Sequence, residues 1–121
     1  MREDNARTFD ERRNAYIDYY HLIAERLEIA EKYLRDREPD CPKFDNHKEV
    51  DAAFTLIRIY GSIKVWELAL VARSGPAGLR NYVAKGDIER ALEFHPKAKL
   101  VVEELLKGIR EDLGVSESAP A

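Results

Sequence analysis

The fold is decided by residues 8–37, which read TFDERRNAYIDYYHLIAERLEIAEKYLRDR. Apolar residues recur there at spacings of three, four or seven, as on one face of an α-helix. They are Phe9, Tyr16, Tyr20, Ile23, Leu27, Ala30 and Leu34. Thr8 precedes Glu11 by three residues, a capping-box pattern that predicts the helix start at Thr8. The opposite face alternates in charge, which is typical of a solvated surface rather than of a binding stripe.

A loop rich in proline follows this helix. Pro39 and Pro42 lack a backbone N–H and disfavour helical geometry in the residue before them, so the first helix should end near Arg37. Asn46 precedes Glu49 by three residues and predicts the start of a second helix, although Asp45 could cap it equally well.

The second helix keeps its apolar periodicity across a Gly-Ser step. Its apolar residues recur at spacings of three and four and are Ala52, Leu56, Ile59, Ile63, Trp66 and Leu70. We therefore predict one helix to about Arg73, forming a long antiparallel hairpin with the first helix. The alternative is a break at Gly61-Ser62, with Ser62 capping a new helix.

Shorter helices should complete the chain. Residues 74–78 read SGPAG and predict the end of the second helix. Asp87 can cap a further segment, which His95-Pro96 should interrupt or kink because proline removes a helical hydrogen bond. A last amphipathic helix starts at Pro96 and should stop at Gly114.

Length and composition predict one helical domain. The chain has 121 residues, of which 45% are hydrophobic and 36% charged, which is enough for an apolar core without a disulfide or structural metal. We expect an all-α, elongated helical bundle over residues 1–121, built on the long hairpin, with residues 1–7 and 115–121 as frayed tails.

Charge and cysteine content exclude several classes of function. The 20 basic and 23 acidic residues give a net charge of -3, which disfavours nucleic acid and anionic membranes as partners. No run of about 18 apolar residues could span a bilayer, and the first residues start no apolar run typical of a signal peptide. The single cysteine cannot form an internal disulfide, so we expect a cytoplasmic protein.

An apolar strip predicts self-association. Residues 63–72 are apolar on nearly every side, and tyrosines flank the apolar face of the first helix. The predicted interaction surface comprises Tyr19, Tyr33, Ile63, Trp66 and Leu70. We expect a homodimeric, non-enzymatic binding or scaffolding module. The alternatives are that the C-terminal helices cover this surface within one chain, or that the chain is an antitoxin-like or adaptor subunit of another protein.

No metal or cofactor site is predicted. Cys41 and His47 are six residues apart on one loop, and His21 and His95 lie elsewhere, so no three or four ligands converge. The glycines form no phosphate-cradling pattern. We expect Cys41, between two prolines, to be exposed.

Arg90-Ala91-Leu92-Glu93-Phe94-His95 places a histidine after an arginine with four residues between them. This spacing resembles the signature of HEPN-domain ribonucleases. The resemblance implies a dimeric helical bundle in which Arg90 would stabilise a phosphate and His95 would act in acid–base chemistry. The structural alternative is that Arg90 is solvated and His95 borders the last helix.

The layout of residues 10–75 carries a second resemblance. Arg13 and Tyr16 open a long helix, a proline-rich break follows, and Leu56-Ile57-Arg58-Ile59-Tyr60-Gly61-Ser62 comes next. This order is similar to small helical-hairpin proteins of bacteria, especially actinobacteria. The resemblance implies a helical fold and transfers no activity.

Overall fold

Four α-helices form the protein in the computed structural model, which describes residues 2–115 and the side chains of residues 8–115. The helices are α1 (Arg2–Arg35), α2 (His47–Tyr60), α3 (Ile63–Ala84) and α4 (Ile88–Asp112). The prediction of an all-α helical bundle is therefore confirmed. Among the described residues, none of the four helices combines the length and the apolar composition that a membrane span requires.

The helices alternate in direction around a shared core. Tyr16 of α1 donates a hydrogen bond to Asp112 at the end of α4, and Glu31 lies against His95 nearer the start of α4. Helix α4 is therefore antiparallel to α1. Residues 61–62 connect α2 to α3, and residues 85–87 connect α3 to α4. Because both connections are very short, each of these two pairs of helices is antiparallel. The largest fully buried side chains are Tyr16, Tyr19, Ile23, Ile57, Leu79 and Leu105.

The second predicted helix is divided at Gly61-Ser62. Ser62 is the N-cap of α3, and its side chain accepts a hydrogen bond from Val65 N at 3.1 Å. The Ser62 N–H donates to the Tyr16 hydroxyl at 2.9 Å. The prediction of one helix to Arg73 is therefore wrong, because these contacts satisfy the backbone where the chain turns. Helix α1, of 34 residues, pairs with an α2 of only 14.

The predicted stop at residues 74–78 is absent, and α3 continues through it. Gly75 and Pro76 are both buried inside the helix. A Cβ at Gly75 would lie 2.5 Å from Val101 Cγ2 and 2.9 Å from the Ala98 carbonyl oxygen. The glycine therefore serves the close approach of α4 rather than the end of α3.

Helix ends were predicted with mixed success. Asp87 caps α4 by accepting from Arg90 N, and α4 is followed by Gly114 at a φ of 75°, so both of these predictions are confirmed. Pro96 does not interrupt α4, because it lies on an exposed face where water can hydrate the freed carbonyl.

The N-terminal end of the first helix differs from the prediction. Helix α1 begins at Arg2 instead of Thr8, so residues 2–7 are helical and the Thr8 capping box is wrong. Those residues include good helix formers, which allow the helix to start earlier. Val115 follows α4, whereas residues 116–121 lie outside the described residues.

Candidate functional site

The predicted interaction strip is not one surface. Tyr19 is fully buried and donates a hydrogen bond to the Ala69 carbonyl at 2.7 Å, so its assignment to the strip is wrong. Tyr16 is the residue of α1 that contacts Ser62, just before α3. Tyr33 is half-buried and lies 17 residues after Tyr16, which is a distance of about 25 Å along α1. Tyr33 is therefore far from Ile63.

The remaining three residues do share a face. Ile63 is 76% exposed, Leu70 is 50% exposed, and Trp66 between them is half-buried. Ile59, at the end of α2, is also exposed, at 63%. We call Ile63, Trp66 and Leu70 the α2–α3 apolar face, because Trp66 stacks on Phe54 of α2. The Trp66 indole Nε1 is buried and has no hydrogen-bond partner among the described residues.

Arg90 and His95 lie on different sides of α4 and have different partners. They stand five residues apart on the continuous α4, so their side chains leave the helix about 140° apart. Arg90 is exposed, with Nε 3.6 Å from the Asp87 carboxylate. His95 lies inside α4 rather than at its start, and its Nε2 is 2.6 Å from the Glu31 carboxylate of α1. The ribonuclease-like spacing implies a cleft shared by two copies of the chain, and that implication stays a prediction.

A basic pocket, which the sequence analysis missed, lies where the loop between α1 and α2 meets α3. Its volume is about 300 Å³. Four basic side chains line it, together with His47 at the first position of α2. The four are Arg26, Lys43, Arg73 and Arg80. None of its described lining residues carries a carboxylate. The local charge is therefore opposite in sign to the net charge of -3.

Arg26 is the unusual member of this pocket. It is only 3% exposed, and it is the only charged side chain buried to this degree among the described residues. Its Nε donates to Asn46 Oδ1 at 2.7 Å, its Nη2 lies 3.2 Å from His47 Nδ1, and its guanidinium sits 5.0 Å from the Phe44 ring centroid. All of these partners lack a formal negative charge.

Burial without a counter-ion is reflected in the titration of Arg26. Desolvation lowers the pKa of Arg26, and the like charge of Arg73 lowers it further. Buried charges in proteins are normally paired with an opposite charge. The charge of Asp51 raises the pKa of Arg26, but by the smallest of these effects, and Asp51 is paired with Arg73 instead. No carboxylate of the described residues therefore contacts the Arg26 guanidinium directly.

Two arginines of α3 face the same pocket because α3 does not stop at Gly75. Arg73, Ala77 and Arg80 follow at i, i+4 and i+7, which places them on one side of the helix. Arg73 also makes an exposed ion pair with Asp51, at 2.7 Å. The predicted helix end at residues 74–78 would have separated Arg73 from Arg80, so the sequence did not indicate that both line one pocket.

The loop between α1 and α2 is fixed by Arg80. Its Nε donates to the Pro42 carbonyl at 2.9 Å and its Nη2 to the Cys41 carbonyl at 3.0 Å. Cys41 is buried rather than exposed as predicted, and this burial raises the pKa of its thiol. Arg80 is thus held in place by neutral carbonyls and keeps its charge uncompensated.

Asn46 was predicted to cap α2 but has another partner. Its side chain makes no capping hydrogen bond, because Oδ1 accepts from Arg26 instead. The predicted capping box with Glu49 is therefore wrong. The first N–H groups of α2 are left without this cap beside the pocket, where they add positive potential.

Metal chemistry finds no support at this pocket. Among the described residues, no three His, Cys, Asp or Glu side chains converge on a point that could hold a metal ion. Arginine and lysine are donors that bind anions. The pocket is therefore suited to hold a negatively charged group.

The comparisons with known proteins returned nothing that assigns this site. No family model matches the chain, and neither the curated proteins nor the solved structures gave a match.

Proposed function

We propose that the protein is a non-enzymatic binding module that holds an anionic ligand in the basic pocket. The observation that carries this proposal is Arg26, a buried guanidinium whose described partners are all neutral. A ligand anion would compensate the buried positive charge of Arg26 and offset its repulsion by Arg73. Binding would need little rearrangement, since Arg80 is already fixed by backbone carbonyls.

Thermal unfolding in phosphate and in chloride, at equal ionic strength, tests the proposal. A ligand at ten times its Kd should raise Tm by about 6 °C. Phosphate also stabilises proteins without binding a site, so the result is read as a difference between variants. Lys43→Gln removes an exposed pocket cation and should reduce the rise, whereas Lys48→Gln removes an exposed cation outside the pocket and should not. Equal rises in both variants would contradict the proposal.

A second candidate function, self-association, is supported by the α2–α3 apolar face. Its three residues lie on one side of α3, on the outside of a bundle that has its own core. Large exposed apolar patches are typical of protein interaction sites. We propose that a second copy of the chain covers this face in a symmetric homodimer.

Sedimentation equilibrium at high micromolar concentration tests the homodimer. Ile63→Asp and Leu70→Asp should each reduce a dimeric mass to that of the monomer, because a buried carboxylate is costly. Leu100→Asp is the matched control, since Leu100 on α4 is 51% exposed, almost the same as Leu70. A monomeric wild-type protein would overturn the homodimer and leave the basic pocket unaffected.

A further inference from the structure

We infer that the ligand of the basic pocket is a small phosphate monoester, bound through its phosphate group. This inference rests on the anion-binding function proposed above. It adds the chemical class of the ligand, which the charge, the donors and the volume of the pocket specify.

The charge of the pocket calls for more than one negative charge. Among the described residues, Arg26, Lys43 and Arg80 make no ion pair with a carboxylate. A carboxylate ligand would bring one negative charge to these three cations. A phosphate monoester brings about 1.5 to 2 at neutral pH and compensates them better.

The donors reach the pocket from different directions. Arg26 extends from α1, Lys43 from the loop, and Arg73 and Arg80 from α3. A planar carboxylate can be satisfied by a single bidentate arginine. A tetrahedral phosphate has three terminal oxygens and can accept from donors on several sides at once.

Arg26 still has donors to offer. A guanidinium carries five N–H groups, and the contacts to Asn46 and His47 use only Nε and one Nη2 position. Both N–H groups of Nη1 make no hydrogen bond within the described chain. Because Asn46 and His47 hold the other edge of the guanidinium, this free edge is oriented before a ligand arrives.

The volume leaves room for an organic group. About 300 Å³ is roughly ten times the volume that a water molecule occupies in the liquid, which exceeds the need of a single phosphate. Phe44 and Ala77 supply an apolar wall beside the cations. A small phosphorylated molecule fits this combination better than a free inorganic ion or a long polyanion, which the net charge of -3 would repel.

Isothermal titration with three probes tests the inference: phenyl phosphate, inorganic phosphate and benzoate. We expect phenyl phosphate to bind at least about tenfold more tightly than benzoate, since it carries the additional charge. It should also bind more tightly than inorganic phosphate, because only the ester can contact the apolar wall. Equal affinity for phenyl phosphate and benzoate would overturn the phosphate. Equal affinity for phenyl phosphate and inorganic phosphate would overturn the ester.

The Lys43→Gln variant, which removes an unpaired and exposed cation, shows whether the preference arises in this pocket. Removing one cation should weaken phenyl phosphate about tenfold and benzoate less, so their affinity ratio should fall. Arg58→Gln, an exposed arginine of α2 outside the pocket, should leave the ratio unchanged. Circular dichroism confirms that both variants are folded.

The two proposals fail in different ways. If benzoate and phenyl phosphate bind equally and Lys43→Gln weakens both, the anion-binding function stands and the phosphate monoester is wrong. If none of the three probes binds at millimolar concentration, both are wrong.

Discussion

Two glycine-containing segments of this chain behave in opposite ways. Gly61-Ser62 ends one helix and starts another, whereas residues 74–78, with two glycines and a proline, lie inside α3. The local sequence predicts the reverse at both places, because apolar periodicity continues through the first segment and turn residues crowd the second. Helix propensity is a weak preference that tertiary contacts override.

Contacts from other helices explain both outcomes. At the first segment, α1 supplies the Tyr16 hydroxyl, which accepts the Ser62 N–H. At the second, the missing side chain of Gly75 allows α4 to approach α3. Each glycine therefore allows a neighbouring helix to approach closely, and only the serine cap makes one of them a helix boundary.

Both segments are needed to build the basic pocket. The turn at Gly61-Ser62 reverses the chain, so that α3 runs back along α1 and brings Arg73 to the pocket that contains Arg26. The continuity through residues 74–78 then places Arg73 and Arg80 on the same side of one helix. The site therefore depends on the two places at which local sequence patterns are misleading.

Gly75→Ala should have the largest effect on stability. The added Cβ would lie 2.5 Å from Val101 Cγ2 and 2.9 Å from the backbone oxygen of Ala98, so α4 would have to move. We expect a loss of about 3 kcal/mol in the free energy of unfolding, measured by urea denaturation. The higher helix propensity of alanine would offset only about 1 kcal/mol.

Gly78→Ala is the matched control for this variant. Its Cβ would meet only the ring of Phe94, at 2.7 Å, and a side chain can move more easily than backbone. We expect a stability within about 1 kcal/mol of the wild type, because the gain in helix propensity offsets the crowding. Equal losses at both glycines would show that the approach of α4 is not what holds this segment in α3.

Much of the fold was predictable because it follows from local patterns. The apolar face of α1, the proline-rich loop and the Asp87 cap depend on residues close in sequence. Whether the helix ends at Gly61 and continues at Gly75 depends on contacts with Tyr16 and Val101, respectively. These two residues are 45 and 26 positions away in the sequence. No local periodicity carries that information.

The basic pocket was missed for a related reason. Arg26 occurs in a helix of alternating charge, where an arginine is expected to be solvated, yet it is buried. The other residues that line its pocket lie 17 to 55 residues further along the chain. Three of the five residues predicted for self-association do lie on one face of α3. Tyr19 is instead in the core, and the prediction failed there because the spacing of apolar residues does not show which of two adjacent helix faces is buried.

Alkaline unfolding should show a smaller effect that tests how α3 restarts after Gly61-Ser62. The Tyr19 hydroxyl donates to the Ala69 carbonyl, near the start of α3, and burial raises the pKa of Tyr19 to about 12. The unfolded state releases this proton near pH 10, whereas the folded state keeps it. Stability is therefore present below pH 10 and falls as the pH rises towards 12, by about 2 kcal/mol.

The Tyr19→Phe variant isolates this contribution. Urea denaturation at several pH values should show a steeper loss of stability above pH 10 in the wild type than in the variant. Parallel pH profiles would mean that the hydroxyl is not buried against α3.

Ser62→Ala and Ser74→Ala compare the two segments most directly, with the smallest expected change. Ser62 Oγ accepts from Val65 N, so its removal should cost about 1 kcal/mol, as for other N-cap serines. Ser74 Oγ donates to the Val71 carbonyl at 2.6 Å within an exposed part of the helix. Its replacement should leave the stability unchanged or raise it by a few tenths of a kcal/mol, because alanine is the better helix former. Both are measured by urea denaturation. A larger loss of stability for Ser74→Ala than for Ser62→Ala would contradict the assignment of Ser62 as the serine that caps α3.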